Sequence, residues 1–275
     1  MGVVRLLQRE VFPKYREYSQ QLANVYRLMS SSFAEDSVET LCKIRGYPLG
    51  ESSQHEYLKD NPLGYFEVSD VSPFREFPEE LGLFSKNGEL LLNGRYIIPV
   101  TSVGGDLVSL IGYFDDFKRY ITLSTPFFSK SAMFFRYNEA YKLSWGSYNG
   151  VVFLVEGIFD CISLWSLGLP CIATMGSSVS SIKGDLLKVF RKVIAIPDDD
   201  ETGRKALNRY AKTGWKVPSN TVMIEFHGGV VEIGGASLPC KDMDNFVTWY
   251  EADDVREMLL SFADSREEID ELILI

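Results

Sequence analysis

Histidine and cysteine are scarce, and their scarcity removes most zinc chemistry. The chain has two histidines, His55 and His227, and four cysteines, Cys42, Cys161, Cys171 and Cys240, with no CxxC pair among them. Such spacing predicts no zinc site, and the cysteines read as reduced, buried or half-buried thiols of a cytoplasmic protein. Long hydrophobic runs are also missing. No stretch approaches the ~18 apolar residues of a membrane span, and no signal peptide is visible at the start. An excess of positive charge is missing too: the net charge is −10. That argues against a nonspecific, whole-surface nucleic-acid binder but leaves room for a local basic groove. There is no internal repeat and no low-complexity segment. With 275 residues the chain is long enough to bury a full core, as one large or two small domains.

What is present is a cluster of acids at the end of an apolar run, Val193-Ile194-Ala195-Ile196-Pro197-Asp198-Asp199-Asp200-Glu201-Thr202-Gly203-Arg204. Four consecutive apolar residues predict a strand covered on both faces. Three aspartates at its end are not core material, because a buried carboxylate needs a cation or several donors. Asp198 and Asp200 are two apart, so in an extended chain they point to one side. A divalent metal ion is the simplest way to hold two such carboxylates together.

The remainder reads as a frame for that cluster. Apolar residues in 5–29 (Leu6, Leu7, Val11, Tyr15, Tyr18, Leu22, Val25, Tyr26, Met29) form a one-sided helical stripe, with Pro13 expected to break or kink it. A second helix is expected over 34–43, capped from Ser31-Ser32. Residues 46–80, rich in Pro, Gly and acids, read as loops with short helices. Residues 89–100 predict two strands across an Asn93-Gly94 turn, followed by strands at 107–114 and 118–123. From Gly150 the pattern alternates. Strands are expected at 151–155, 170–174, 193–196 and 221–226. Helices are expected at 159–167, 181–190 and 201–212, with two more near 243–250 and 253–261. This alternation predicts βαβ units and a parallel sheet with helices on both faces, preceded by a smaller, basic-edged α+β subdomain.

Ligands of such sheets gather beyond the carboxyl ends of the strands. Three acidic elements map there: Glu156 with Asp160, Asp198 with Asp200, and Asp242 with Asp244. An acid in a helix's first turn is ordinarily a cap or a dipole partner. Three acidic elements on one sheet edge favour a metal site instead. Magnesium takes oxygen ligands and keeps several waters, so the chemistry that fits is phosphoryl transfer. Positive charge lies at Arg45, Arg95, Lys118, Arg119 and Lys130, the last three interleaved with Tyr120, Phe127 and Phe128. This is either a solvated face or a groove for a nucleic-acid backbone and triphosphates. The loop Met175-Gly176-Ser177-Ser178, between a strand and a helix, is either a simple turn or a phosphate contact.

These residues resemble a family. Val155-Glu156-Gly157-Ile158-Phe159-Asp160, Ala173-Thr174-Met175-Gly176-Ser177 and Asp198-Asp199-Asp200-Glu201-Thr202-Gly203-Arg204-Lys205-Ala206 look like the Toprim signature. More closely, they look like its version in bacterial DnaG-type primases, where the motifs read VEGxxD and DGDxAGxxA. Lys241-Asp242-Met243-Asp244 is similar to a later lysine-aspartate-x-aspartate element. Upstream, Gly94-Arg95-Tyr96-Ile97-Ile98-Pro99-Val100 is similar to the family's GRxxxPI strand. Leu110 to Phe114 and Arg119 to Pro126 look like its IGFGGR and KYLNSP segments, Lys130 stands where a family lysine follows, and Arg45-Gly46 is similar to an early RG pair.

The resemblance implies a DNA primase, an enzyme making short RNA primers on single-stranded DNA from ribonucleoside triphosphates during DNA replication. It implies a helical segment over 1–37, a template-binding subdomain over 38–149, a Toprim catalytic subdomain over 150–250 and an acidic helix or tail over 251–275. Glu156, Asp198, Asp200 and Asp242 would hold magnesium or manganese, as two ions, with Asp160 and Asp244 completing the catalytic set. Arg45, Arg95, Arg119, Lys130 and Lys241 would face template or nucleotide, with Gly176 and Ser177 as a phosphate loop.

There are departures. Asp199 replaces the middle glycine of DGD and Thr202 the alanine of AG. Asp115-Asp116 stand where the GGR segment carries its arginine. No zinc ribbon and no helicase-binding domain is recognisable. A replicative helicase or a separate zinc-ribbon protein is therefore an expected partner, and the compact form fits a phage-like replication protein in a bacterial or phage-infected cytoplasm. Two alternatives remain open at this point: another Toprim phosphotransfer enzyme such as a nuclease, and a non-catalytic subunit binding DNA or a replication partner.

Overall fold

The computed structural model describes residues 12–33, 45, 63–114, 119–123, 125–176, 178–198, 218–223, 225–227, 230–233, 236–240, 242–264 and 271–273. The chain divides into two compact units. One comprises Met1–Leu41 and Asp60–Phe128, the other Cys42–Lys59 and Ser129–Ile275.

The first unit is an antiparallel sheet with one helix. Strands β1 (Gly64–Phe66), β2 (Arg95–Thr101), β3 (Leu107–Phe114) and β4 (Arg119–Thr122) lie in the order β1-β2-β3-β4. Helix α1 (Phe12–Ser30) packs on β1 and β3. Its buried face is Tyr18, Leu22, Val25 and Met29, at helical spacing, set against Phe66, Ile97, Leu107 and Leu110 of the sheet. Pro13 lies near the first described residue of α1, which runs on from it without a break to Ser30.

One expectation fails here. Residues 89–94 do not form the first arm of a hairpin: β2 starts at Arg95, and Leu90 makes only an isolated bridge to Phe84. The Asn93-Gly94 pair is used to dock onto β1's exit instead. Asn93 Oδ1 accepts from Val68 N–H (2.8 Å), its Nδ2 donates to Val68 O (3.0 Å), and Gly94 N–H donates to Phe66 O (2.8 Å). The place of the expected partner strand is taken by β1, which lay in a stretch read as loops.

The second unit is built on a parallel sheet, as the alternation predicts. Strands β5 (Val151–Val155), β6 (Cys171–Ala173), β7 (Lys192–Ala195) and β8 (Thr221–Met223) lie in the order β6-β5-β7-β8. Every residue of β5 is buried, which accounts for its continuous apolar run. Helix α2 (Tyr137–Ser147) precedes β5, α3 (Ile158–Ser166) joins β5 to β6, and α4 (Ser181–Leu187) leads toward β7. All nine residues of α3 are buried. The indole N–H of Trp165 donates to Cys171 O at 2.8 Å, tying α3 to β6. On the other edge of β6, Phe135 forms an antiparallel bridge with Ala173, which covers an otherwise open strand. Helix α5 (Met243–Trp249) packs on α3, and α6 (Ala252–Asp264) packs on α5 and β7.

The strand expected over 221–226 divides into β8 and β9 (Glu225–His227). A hairpin unforeseen in the sequence reading, β10 (Val230–Ile233) with β11 (Ala236–Pro239), follows. The acidic tail contributes a strand as well as a helix: β12 (Glu271–Ile273) pairs in parallel with β9. Expected helices over 34–43 and 201–212 lie outside the described residues. Among the described residues no helix is long and apolar enough to cross a membrane.

Candidate active site

The site is set by strand order. β6 lies on one side of β5 and β7 on the other, so the chain reverses direction across the sheet at β5. A crevice opens at such a reversal beyond the carboxyl ends of the strands. β5 ends at Val155 and delivers Glu156, which is buried. β7 ends at Ala195, and Ile196 extends the ladder with its N–H donating to Leu154 O (2.8 Å) before Pro197 and Asp198. Glu156 and Asp198 thus leave neighbouring strands at one edge.

Gly157 and Asp160 act as a pair. Asp160 is the third residue of α3 and reaches back, Oδ2 accepting from Gly157 N–H at 3.1 Å. A Cβ at position 157 would lie 2.3 Å from that oxygen. The glycine is required by the close approach of the carboxylate; its own φ of −90° is open to any residue. The other oxygen of Asp160 accepts from Asp244 N–H at 2.9 Å. One buried carboxylate therefore pins the first turn of α5 onto the first turn of α3. Asp242 caps α5, its Oδ1 accepting from Asn245 N–H at 2.8 Å.

The acids crowd each other. The Asp160 carboxyl is held well above the usual carboxylate range, first by burial and then by the charges of Asp198, Asp242 and Asp244. The Asp244 amide works the other way by bonding the ionised form. Arg45 offsets part of this charge. Its guanidinium pairs with Asp244 and lies 4.2 Å over the Phe159 ring. The Thr248 hydroxyl lies 3.0 Å from Arg45 O and 2.7 Å from Asp244 O, binding the three residues into one network.

Of the acids singled out from sequence, Glu156, Asp160, Asp198, Asp242 and Asp244 are gathered in this unit, with the charges of Asp198, Asp242 and Asp244 bearing on Asp160. Asp200, Ser177 and Lys241 lie outside the described residues. Among the described residues no three acidic, histidine or cysteine side chains are arranged to hold a metal ion. Gly176 faces open space, with nothing within 4 Å of a Cβ built there. Arg95 and Arg119 belong to the first unit and flank Phe114: the Arg95 guanidinium sits 5.5 Å from its ring, and Arg119 is its partner across β3 and β4. Lys130 is exposed in the second unit. The roles of Gly157, Thr248 and the Arg45–Asp244 pair were not read from sequence. The first had a signal in the glycine before a capping acid; the pair, 199 positions apart, had none.

Residues 153–229 match the Toprim-like family. No curated protein matches the chain by sequence. Among solved structures, the chain is similar to the zinc-binding and RNA polymerase domains of Aquifex aeolicus primase. The TM-score is 0.66 at 20% identity, over 90% of this chain and 61% of that one. It is similar to the Escherichia coli primase catalytic core, with a TM-score of 0.65 at 19% identity over 88% and 79% of the two chains. It is also similar to a DnaG primase catalytic domain bound to single-stranded DNA, at 0.64 and 18% identity over 88% and 80%. The chain has the fold of a DnaG-type primase catalytic core with a Toprim domain. Glu156 and Asp198 follow the ends of β5 and β7 in that fold. This chain spans about three fifths of the Aquifex primase fragment it matches.

Proposed function

We propose that this protein is a DNA primase core that makes short RNA primers on single-stranded DNA. The observation that carries the reading is the convergence of Asp160, Asp198, Asp242 and Asp244 next to Glu156, in the fold of primase catalytic cores. An all-oxygen donor set with excess negative charge suits magnesium or manganese. Glu156, Asp198, Asp200 and Asp242 would hold it. Bound there, such an ion would supply the charge that lowers the pKa of an attacking hydroxyl and offsets that of a departing pyrophosphate.

In the transfer, the 3′-hydroxyl oxygen of one nucleotide bonds to the α-phosphorus of the next, the bond to pyrophosphate breaks, and the hydroxyl proton goes to solvent. The chain's own residues position the parts. Asp160 fixes the first turn of α5, and with it Asp242 and Asp244. Arg45 limits the repulsion among the acids. Arg95, Arg119, Lys130 and Lys241 contact template or nucleotide phosphates, and the loop at Gly176 and Ser177 receives phosphate oxygens. Single-stranded DNA as template is supported by the DNA-bound relative. A helicase or zinc-ribbon protein of the same replication system is the expected partner for template choice.

The test is direct. Purified protein, single-stranded DNA of mixed sequence, labelled ribonucleotides and magnesium or manganese should yield short RNA products. The Asp198→Ala variant should yield none above background while keeping its circular dichroism. Synthesis that survives this change removes the metal-site assignment. Cleavage of the DNA without synthesis makes the protein a Toprim nuclease.

A further inference from the structure

Lys183 lies in the first turn of α4 and is 1% exposed. Lysine is almost never fully buried without a pairing charge. Among the described residues no carboxylate pairs with this one. Its ammonium donates to the carbonyl of Thr174 and lies 5.2 Å from the centre of the Phe134 ring. Burial lowers its pKa to about 8, so at neutral pH it remains largely charged. A methionine would fill the same volume without the desolvation cost. The charge therefore has a use that packing does not explain.

The peptide it holds is the junction between β6 and the end of β5. Thr174 N–H donates to Val155 O (3.0 Å), and Met175 N–H donates to Glu156 O (3.0 Å). The Thr174 hydroxyl bridges Glu156 O (3.3 Å) and Gly176 O. Met175 takes a left-handed φ of 57°, a conformation that a non-glycine residue rarely adopts. The main chain of Glu156 is thus held by a strained loop, and the loop is held from beneath by Lys183. The far side of the loop, at Gly176, is open.

We propose that Lys183 is a positioning residue, whose buried ammonium locks the loop Thr174–Gly176 against Glu156 and thereby sets the turnover of the acid site without contacting substrate. The inference rests on the primase reading of that site. In the full chain, Lys183→Met should fold and melt at the same temperature as the parent or higher. Its kcat for primer synthesis should fall about tenfold or more, with the affinity for a dT oligonucleotide within twofold of the parent. A kcat within twofold of the parent, or a loss of activity that tracks a lowered melting temperature, overturns the proposal. Should Lys183→Met fail to fold, Lys183→Gln is measured against the same criteria.

A second readout does not need activity. Amide exchange at Met175, whose N–H is bonded to Glu156 O, should quicken at least tenfold in Lys183→Met while β5 amides stay unchanged. If the parent makes no primers, the primase reading fails; unchanged exchange at Met175 then overturns the loop assignment separately.

Discussion

The missing side chain of Gly157 and two backbone amides, its own and that of Asp244, hold the Asp160 carboxylate in place. Replacing Gly157 by alanine leaves the backbone conformation allowed but puts a methyl group 2.3 Å from Asp160 Oδ2. The carboxylate must swing away, losing its bond to Gly157 N–H and loosening the bond that holds Asp244. Gly157→Ala should therefore cost ~1–2 kcal/mol, the size of a lost cap, as a fall in the urea midpoint, together with most of the synthesis activity. Lys183 gives a pH signature of opposite kind. Its pKa is near 8 in the folded chain against ~10.4 for a free lysine. Between these values the unfolded chain binds more protons, so stability rises with pH. The cost of the buried charge is fully present below pH 8 and is relieved above it. Urea unfolding at pH 7.5 and 9.5 should show the parent gaining stability on Lys183→Met, whose profile lacks this slope.

Residues of this kind explain what sequence made legible. Glu156, Asp198 and the acids near them stood out because charges at the end of a buried strand are anomalous wherever they occur. Lys183 did not stand out, since a lysine in a helix's first turn looks like any solvated one; only the packing of Phe134 and Thr174 around it makes it unusual. Arg45 was singled out as a contact for template or nucleotide. It is paired with Asp244, a relation no local pattern encodes.

At the scale of elements, strands buried on both faces were the easiest to read. β5 is a continuous apolar run, and β7 is one after Lys192 at its start; the sheet keeps both within a residue of where the runs fall. Errors came where a turn signal was diverted to another task. Asn93-Gly94 has hairpin chemistry, yet the Asn93 side chain satisfies both polar groups of Val68 and the glycine amide bonds Phe66, so the preceding leucines never form a strand. The β10–β11 hairpin carried a usable sign, Gly234-Gly235 between two short apolar-polar runs. Element packing also yields a test. Trp165 is the only described link by side-chain hydrogen bond from α3's last turn to β6, through Cys171 O. Trp165→Phe removes that bond and part of the largest buried side chain in the unit, and should lower stability by ~1–3 kcal/mol in urea titrations, with the melting transition still cooperative.

For the whole molecule, charge sets the style of binding. A chain of net charge −10 cannot hold nucleic acid by general attraction, so the affinity for single-stranded DNA that the proposed function requires must come from a few placed cations. With Arg95, Arg119 and Lys130 as the phosphate contacts, the logarithm of the affinity for single-stranded DNA should fall against the logarithm of salt with a slope of about −2. Fluorescence anisotropy of a labelled dT oligonucleotide between about 50 and 200 mM salt measures it. Arg119→Ala should flatten the slope by about 0.7. A slope near zero would mean that these cations do not touch the backbone.

The complete burial of α3 has a mechanical consequence. A helix with no solvent-facing side offers no position for an insertion, a chain break or a protease, and it opens only when the unit as a whole opens. Asp160 is carried on that helix, and Glu156 on the strand that feeds it. Glu156 and Asp160, two of the five described acids, are therefore carried on fully buried elements, whereas Asp198, Asp242 and Asp244 arrive from β7 and α5; under the proposed function, any adjustment that admits and releases a primer falls to those three.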